Sequence, residues 1–253
     1  MKFEIKAHDG PGRFGKLDGA ETPLVLNKNQ IKIAPDEAVS YDIEREIAAW
    51  SVRETIAKAK EAKEADEDIE IAVIQGSKYV DLRIECVKAL EELGYKAFII
   101  ANADDLILHP RDLVELITSL RRSMKSGSLL IYPFAEAQFI PLLAYMGVDA
   151  FFDDAGEYYS LLNVLVSPTK DYDLNTYHLY EMSQEELEKY NKNTIDFVLR
   201  EVREHMKNSS LRNLVEERSA TSPQYGSALR ILDRDHADFL QEADRKGERR
   251  RYK

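Results

Sequence analysis

The stretch from Ile69 to Ile100, IEIAVIQGSKYVDLRIECVKALEELGYKAFII, limits the fold more than any other. Apolar Ile69, Ile71, Val73 and Ile74 stop at Gln75-Gly76-Ser77. Val80, Leu82, Ile84, Val87, Ala89, Leu90 and Leu93 then recur at helical spacing, and Gly94 precedes a second apolar run. Strand, turn, helix, strand is predicted, because two near-continuous apolar runs this far apart are buried parallel strands joined by a helical crossover. Gly94 stands where a helix needs a left-handed residue to end. Gln75-Gly76-Ser77 falls at the carboxyl end of the first strand, where open sheets and barrels both place their ligands. Gly76 also has a plainer explanation, a tight strand-to-helix turn with no ligand at all.

The alternation continues. Ala97–Ala101 reads as a strand, Pro110–Lys125 as a helix with Leu113, Leu116, Ile117 and Leu120 on one face, and Ser126-Gly127-Ser128 as a stop. Leu129–Tyr132, Phe134–Met146 and Val148–Phe152 give strand, helix and a last strand. Four strands at this spacing predict a parallel sheet or barrel. Ahead of them, Phe3–Ala7, Gly12–Leu17, Leu24–Asn27 and Ile31–Ile33 suggest a layer of small antiparallel strands, and a helix is expected from Pro35 through Trp50 to Ala65. The order between Asp153 and Ser183 is not legible. Ser183 with Glu186 has capping-box spacing. The face Ile195, Val198, Leu199, Val202 and Met206 then keeps helical period, followed by helices over Leu211–Arg218 and Pro223–Ala243. The expected organisation is an α/β domain over 1–183 and a helical region over 184–253 packed on it.

With 253 residues the chain can bury a large core. Its one cysteine, Cys86, lies inside a helical pattern, which excludes internal disulfides and a cysteine-based zinc site. The start has no apolar segment of signal-peptide type and no run is long enough to cross a bilayer, so a cytoplasmic protein is expected. A net charge of −11 argues against autonomous binding of nucleic acid. The basic end KGERRRYK reads as a solvated tail. His8, His109, His178, His205 and His236 lie in separate elements, so no metal site is expected.

Four pieces in order carry a resemblance: KAHDGPGRFGKLDG with ETPLVLN, then AVIQGSKYVDLRIECVKALEELGYKAFII, then LLAYMGVDAFFDD, and LREVREHMKNSSLRNLVEERSATSP. Tyr79-Val80-Asp81-Leu82-Arg83 matches a Y-x-D-L-R marker that follows a V-Q-G-G-like turn. Together they resemble the tRNA-guanine transglycosylase superfamily, and within it the N-terminal part of the archaeosine synthase branch. The resemblance implies a degenerate or partial TIM-type (β/α) barrel with a helical C-terminal third. It also implies a place in archaeosine biosynthesis, where lysine is added to a cyano-deazaguanine already in archaeal tRNA.

Departures from the pattern are as informative. The aspartate-serine-glycine-glycine motif of active transglycosylases is missing between Asn27 and Pro35, so early barrel strands are expected to be absent. Where the family holds zinc, this chain has YHLYEMSQEELEKYNKNTIDF, so the resemblance implies no zinc here and no other cofactor. The nucleophile slot after G-V-D-x-F falls on Phe152, or on Asp153 if one residue is inserted. Asp149 is expected to make structural hydrogen bonds. The lysine-transfer motif is absent, so the chain is expected to be a subunit, inactive alone, that meets tRNA through a second archaeosine synthase subunit.

The candidate base-binding residues are therefore Gln75, Gly76, Asn102 and Asp104. The first pair could read a purine edge, while Asn102 and Asp104, with Asp105, could instead make turns or caps. The candidate catalytic pair is Asp153 and Asp154, for which a capped exposed loop is the preferred explanation. Glu136 is read as a carboxylate favoured by a helix start. Tyr158, Tyr159, Tyr172, Tyr177 and Tyr180 could stack bases or fill a protein interface, and their acidic neighbours favour the interface. The rival function is an autonomous nucleobase-binding or tRNA base-modifying enzyme using Gln75, Asn102 and Asp153. A Rossmann oxidoreductase is disfavoured because no G-x-G-x-x-G follows a strand.

Overall fold

The computed structural model describes residues 1–134 and 136–243; the basic end read as a tail lies outside them. Strands β1 (Phe3–Asp9), β2 (Gly12–Leu17) and β3 (Ala20–Thr22) form an antiparallel meander. The next piece, β4 (Leu24–Leu26), departs from the expected antiparallel layer: it joins the main sheet and runs parallel to its partner. Leu24 and Leu26 find apolar neighbours there that a hairpin could not offer. A 3₁₀ turn over Lys28–Gln30 follows, and Ile33 makes a single parallel bridge to Ile71.

No helix begins at Pro35. The first one, α1 (Arg45–Ala65), starts ten residues later, when the Glu44 carbonyl accepts from the amides of Ile47 and Ala48. Residues between them are held instead by tertiary bonds: the Glu37 amide donates to Thr55 Oγ1 at 3.0 Å, and Ser51 Oγ donates to the Glu37 carbonyl at 2.5 Å.

From here the expected alternation is present. The order is β5 (Ile71–Ile74), α2 (Val80–Glu92), β6 (Ala97–Ile100), α3 (Ala103–Leu108), α4 (Pro110–Ser123) and β7 (Leu129–Tyr132). It continues with α5 (Ile140–Tyr145), β8 (Ala150–Phe152) and α6 (Asp154–Leu161). Helix α3 is unanticipated. Helix α5 is shorter than the expected Phe134–Met146, because a turn in which the Phe139 amide donates to the Glu136 carbonyl precedes it. Nor is β8 the last strand: β9 (Val164–Val166) and β10 (Asp171–Asp173) form a two-stranded antiparallel ribbon. Their pairing depends on a residue far along the chain, since Asn191 accepts from the Val166 amide at 2.8 Å and donates to the Val164 carbonyl at 2.9 Å.

After the short helix α7 (Leu174–Tyr177) come α8 (Gln184–Lys207), α9 (Leu211–Arg218) and α10 (Pro223–Asp235). Ser183 and Glu186 form the capping box reciprocally, an arrangement worth about 1 kcal/mol. Ile195, Val198, Leu199, Val202 and Met206 are all buried. The expected Pro223–Ala243 helix breaks at His236, which is buried with Nδ1 3.2 Å from Thr118 Oγ1 on α4; residues 237–243 are helical again.

The main sheet has the order β4-β8-β7-β6-β5, parallel throughout. Its first strand in sequence lies beside its last, as at the seam of a (β/α) barrel, and no pairing among the described residues joins β4 to β5. The sheet is open. Strand alternation sorts the core: Ala72, Ile74, Phe98, Ile100, Leu130, Tyr132 and Phe151 pack into the cluster shared with the helices. Ile71, Ala97, Ile99, Leu129, Ile131, Ala150 and Phe152 face the other way, against Leu17, Met1, Phe3 and Ile33 from the N-terminal segment.

Asp149 locks this scaffold at the amino end of β8. It is completely buried, accepts from Arg13 Nε at 2.8 Å and from the Leu130 amide at 2.8 Å, and lies 3.6 Å from Arg121 Nη1. Arg13 also pairs with its second oxygen and donates to the Ser126 and Ser128 carbonyls at 2.7 and 2.8 Å. The structural role expected of Asp149 is what the geometry shows.

Candidate functional site

At the carboxyl end of β5 the chain turns sharply into α2. Gly76 has φ +140°, and a Cβ there would lie 2.7 Å from Arg83 Cγ and 2.8 Å from the Arg83 backbone nitrogen. Arg83 explains the turn. Its guanidinium is wholly buried and donates to the Ser77 carbonyl at 2.6 Å, the Ile74 carbonyl at 3.1 Å and Asn102 Oδ1 at 3.3 Å. Burial brings its pKa down to about 10. The last residue of the Tyr79–Arg83 marker thus stitches β5, the turn and the end of β6 together, while Asp81 pairs with Arg45 on the surface.

The side chains around this turn face residues 36–43 of the same chain. Gln75 is 2% exposed and donates through Nε2 to Asp36 Oδ2 at 2.6 Å; its buried Oε1 has no partner. Asn102, in the left-handed region at φ 55°, donates through Nδ2 to the Val39 carbonyl at 2.9 Å. Ser77 Oγ donates to the Ser40 carbonyl at 3.0 Å, and the Tyr79 hydroxyl to the Ile43 carbonyl at 3.0 Å. Tyr41 is buried, stacks on His109 at 5.2 Å and hydrogen-bonds Asp112. The segment that sequence makes helical is a strap across the strand ends. Asp104 stands apart, exposed in the first turn of α3.

Asp153 and Asp154 end β8 and open α6. Since β7 and β6 intervene, Asp153 and Gln75 are three strand spacings apart, roughly 14 Å. The fold therefore brings Gln75, Gly76 and Asn102 together but not the acidic pair with them. Asp154 lies 3.7 Å from Lys28. Asp153 faces a cleft of about 420 Å³ between the outer edge of β4 and α8, lined also by Leu24, Val25, Lys192, Ile195 and Arg203. Arg203 Nη1 donates to the Pro23 carbonyl at 2.7 Å, and burial lowers its pKa. Lys192 is held by Glu188 at 2.5 Å, which raises its own. These two cations were not anticipated, because helical period marks Ile195 and Leu199 but says nothing of which polar neighbours border a cleft.

A third cluster also escaped the sequence. Beyond β7, Glu136 approaches Tyr159 on α6 and Asp171 on β10; burial, then the Glu136 charge, pushes the Asp171 carboxyl up to about 7, and its buried Oδ1 has no partner. Burial also raises the Tyr159 hydroxyl. The unfolded value of Asp171 is near 4 and the folded value higher. Its contribution to stability is thus complete below about pH 4 and is lost as pH rises through about 7. Asp171→Asn is expected to be more stable than the parent at pH 8, by at most about 4 kcal/mol, and to lose that advantage by pH 4. Thermal melts of both proteins across that range check this; an advantage independent of pH would contradict it.

A five-stranded parallel sheet covered by helices, with a glycine turn at the end of β5 held by Arg83 of the Y-x-D-L-R sequence, defines an α/β protein whose candidate site lies at the strand ends. Residues 28–155, about half the chain, match the queuine tRNA-ribosyltransferase family, and the chain belongs to it. Among curated proteins it is similar to the archaeosine synthase of Methanocaldococcus jannaschii, at 29% identity over 163 residues, covering 64% of this chain and 26% of that protein. It is also similar to the tRNA-guanine(15) transglycosylases of Thermococcus onnurineus, at 27% identity over 257 residues, and of Pyrococcus abyssi, at 25% over 257. These cover 90% and 91% of this chain and 44% of each relative. The chain spans less than half the length of each of these relatives. No helix among the described residues is long and apolar enough to cross a membrane.

Proposed function

We propose that this chain is a transglycosylase-like subunit of a tRNA-guanine-modifying enzyme of the archaeosine synthase kind. It supports lysine transfer to cyano-deazaguanine in tRNA, while the catalytic motif and the main tRNA-binding surface lie on a partner chain. We assign residues 1–183 to the transglycosylase-like part and 184–253, of which 184–243 are described, to the C-terminal region. The observation that carries this is the strap: buried Gln75 and half-buried Asn102 turn amide donors to Asp36 and the Val39 carbonyl, so residues 36–43 of the chain itself lie where a base would meet that turn. Base exchange also needs a carboxylate placed against the same nucleoside, and Asp153 lies three strands away. The relatives' names, archaeosine synthase and tRNA-guanine(15) transglycosylase, point to tRNA guanine as the modified site.

The isolated chain is expected to add no lysine to tRNA bearing cyano-deazaguanine and to show no saturable binding of the free deazaguanine, whereas the chain with its partner adds lysine. Activity of the chain alone would overturn the proposal. A second function rests on the Asp153 cleft, whose volume suits a small ligand: an autonomous nucleobase-binding enzyme working there. Saturable deazaguanine binding that Asp153→Asn abolishes would favour it.

A further inference from the structure

We propose that the end of the molecule formed by α6, α7 and the α7–α8 connection docks the apolar centre of a basic, tRNA-binding polypeptide. This inference rests on the subunit function proposed above. Six large side chains there, Tyr158, Leu161, Leu162, Tyr177, Leu179 and Tyr180, are between 48% and 61% exposed. They flank the junction of α6 and α7. The Asn163 carbonyl just past α6 accepts from the Leu174 amide at 2.9 Å, and Asn163 Nδ2 donates to Asn175 Oδ1 at 2.7 Å, so the end of α6 is tied to α7. Adjacent exposed leucines with tyrosines at their border form the kind of patch that monomeric surfaces avoid and protein interfaces favour.

Charge selects the occupant. Residues 153–162 and 171–190 carry nine carboxylates against one lysine, Lys189. The cations flanking those stretches are engaged: Lys170 lies over the Tyr172 and Tyr177 rings at 5.1 and 4.9 Å, and Lys192 pairs with Glu188. A rim of this sign repels phosphate, which excludes RNA as the direct occupant, and repels a second copy of a chain whose net charge is −11. It attracts a basic protein surface. A polypeptide that neutralises tRNA phosphates is basic, and the relatives are more than twice as long as the part matched here.

The test mixes the full chain with the basic polypeptide, from the same source, that continues the relatives beyond the matched region, and reads Kd by biolayer interferometry at several salt concentrations. The double variants Leu161→Ser with Leu162→Ser and Leu179→Ser with Tyr180→Ser are expected to weaken Kd at least about tenfold. Glu157→Lys with Glu181→Lys is expected to slow association and flatten its salt dependence. Trp50→Ser on α1, another exposed aromatic, is expected to stay within about twofold. Circular dichroism melts of the variants confirm that each is folded. If the parent binds and the patch variants bind equally well, the surface is wrong and the subunit function stands. If the parent does not bind, the subunit function fails and the surface falls with it. A chain that sediments alone as a dimer, dissociated by the same variants, would make a second copy the occupant and overturn the proposal.

Discussion

Replacing Asp149 by alanine is expected to lower the unfolding free energy by about 3–5 kcal/mol, because it leaves buried cations without their counter-charge. Arg13 and Arg121 are both 10% exposed or less, and Asp149 is the carboxylate each of them meets. Burial, and then Arg13 beside it, bring Arg121 down to about 9, while Asp149 acts the other way, so the carboxylate favours two guanidiniums sharing the site. The Leu130 amide loses its acceptor as well. Asp149→Asn keeps an acceptor but not the charge, and should fall between. Urea unfolding with an unchanged slope is the measurement; a loss under about 1 kcal/mol would show that this network is not what joins the N-terminal meander to the sheet.

Gly76→Ala should cost about 3 kcal/mol or more. The backbone there has a φ that L-residues rarely adopt, and the obstacles to a Cβ include the Arg83 nitrogen at 2.8 Å and the Leu82 carbonyl carbon at 3.1 Å. Those are backbone atoms of α2, so relief requires moving the helix. Arg83 would be dragged from the three oxygens to which its guanidinium donates. Gly127→Ala is the control, since nothing lies within 4 Å of its Cβ position, and should stay within about 0.5 kcal/mol. If Gly76→Ala folded as well as the control and changed only ligand binding, the turn would be a ligand contact rather than a structural necessity.

These residues also mark how far local pattern reaches. The βαβ unit from Ile71 to Ile100 and the Ser183–Glu186 cap were legible because period, turn glycine and cap act within a few residues of one another. The strap was not. Pro35-Asp36-Glu37 offers a proline and an acidic first turn suited to a helix start, and what overrides them is Gln75, Ser77 and Asn102, 35 residues or more downstream. Strands β9 and β10 have three residues each and depend on Asn191. The identity of Gln75 and Asn102 as strand-end polar residues was readable, but not that their partners would come from their own chain. The same holds for Asp171, whose high carboxyl pKa comes from tertiary burial and from Glu136.

Whether the strapped strand ends still accept a base separates a supporting subunit from an autonomous enzyme. Calorimetric titration of the isolated chain with cyano-deazaguanine measures this directly. No saturable heat up to about 1 mM, a limit of about 4 kcal/mol in binding free energy, is the expected result. Saturable binding abolished by Asp153→Asn, or by Gln75→Ala in a protein that melts as the parent does, would contradict it.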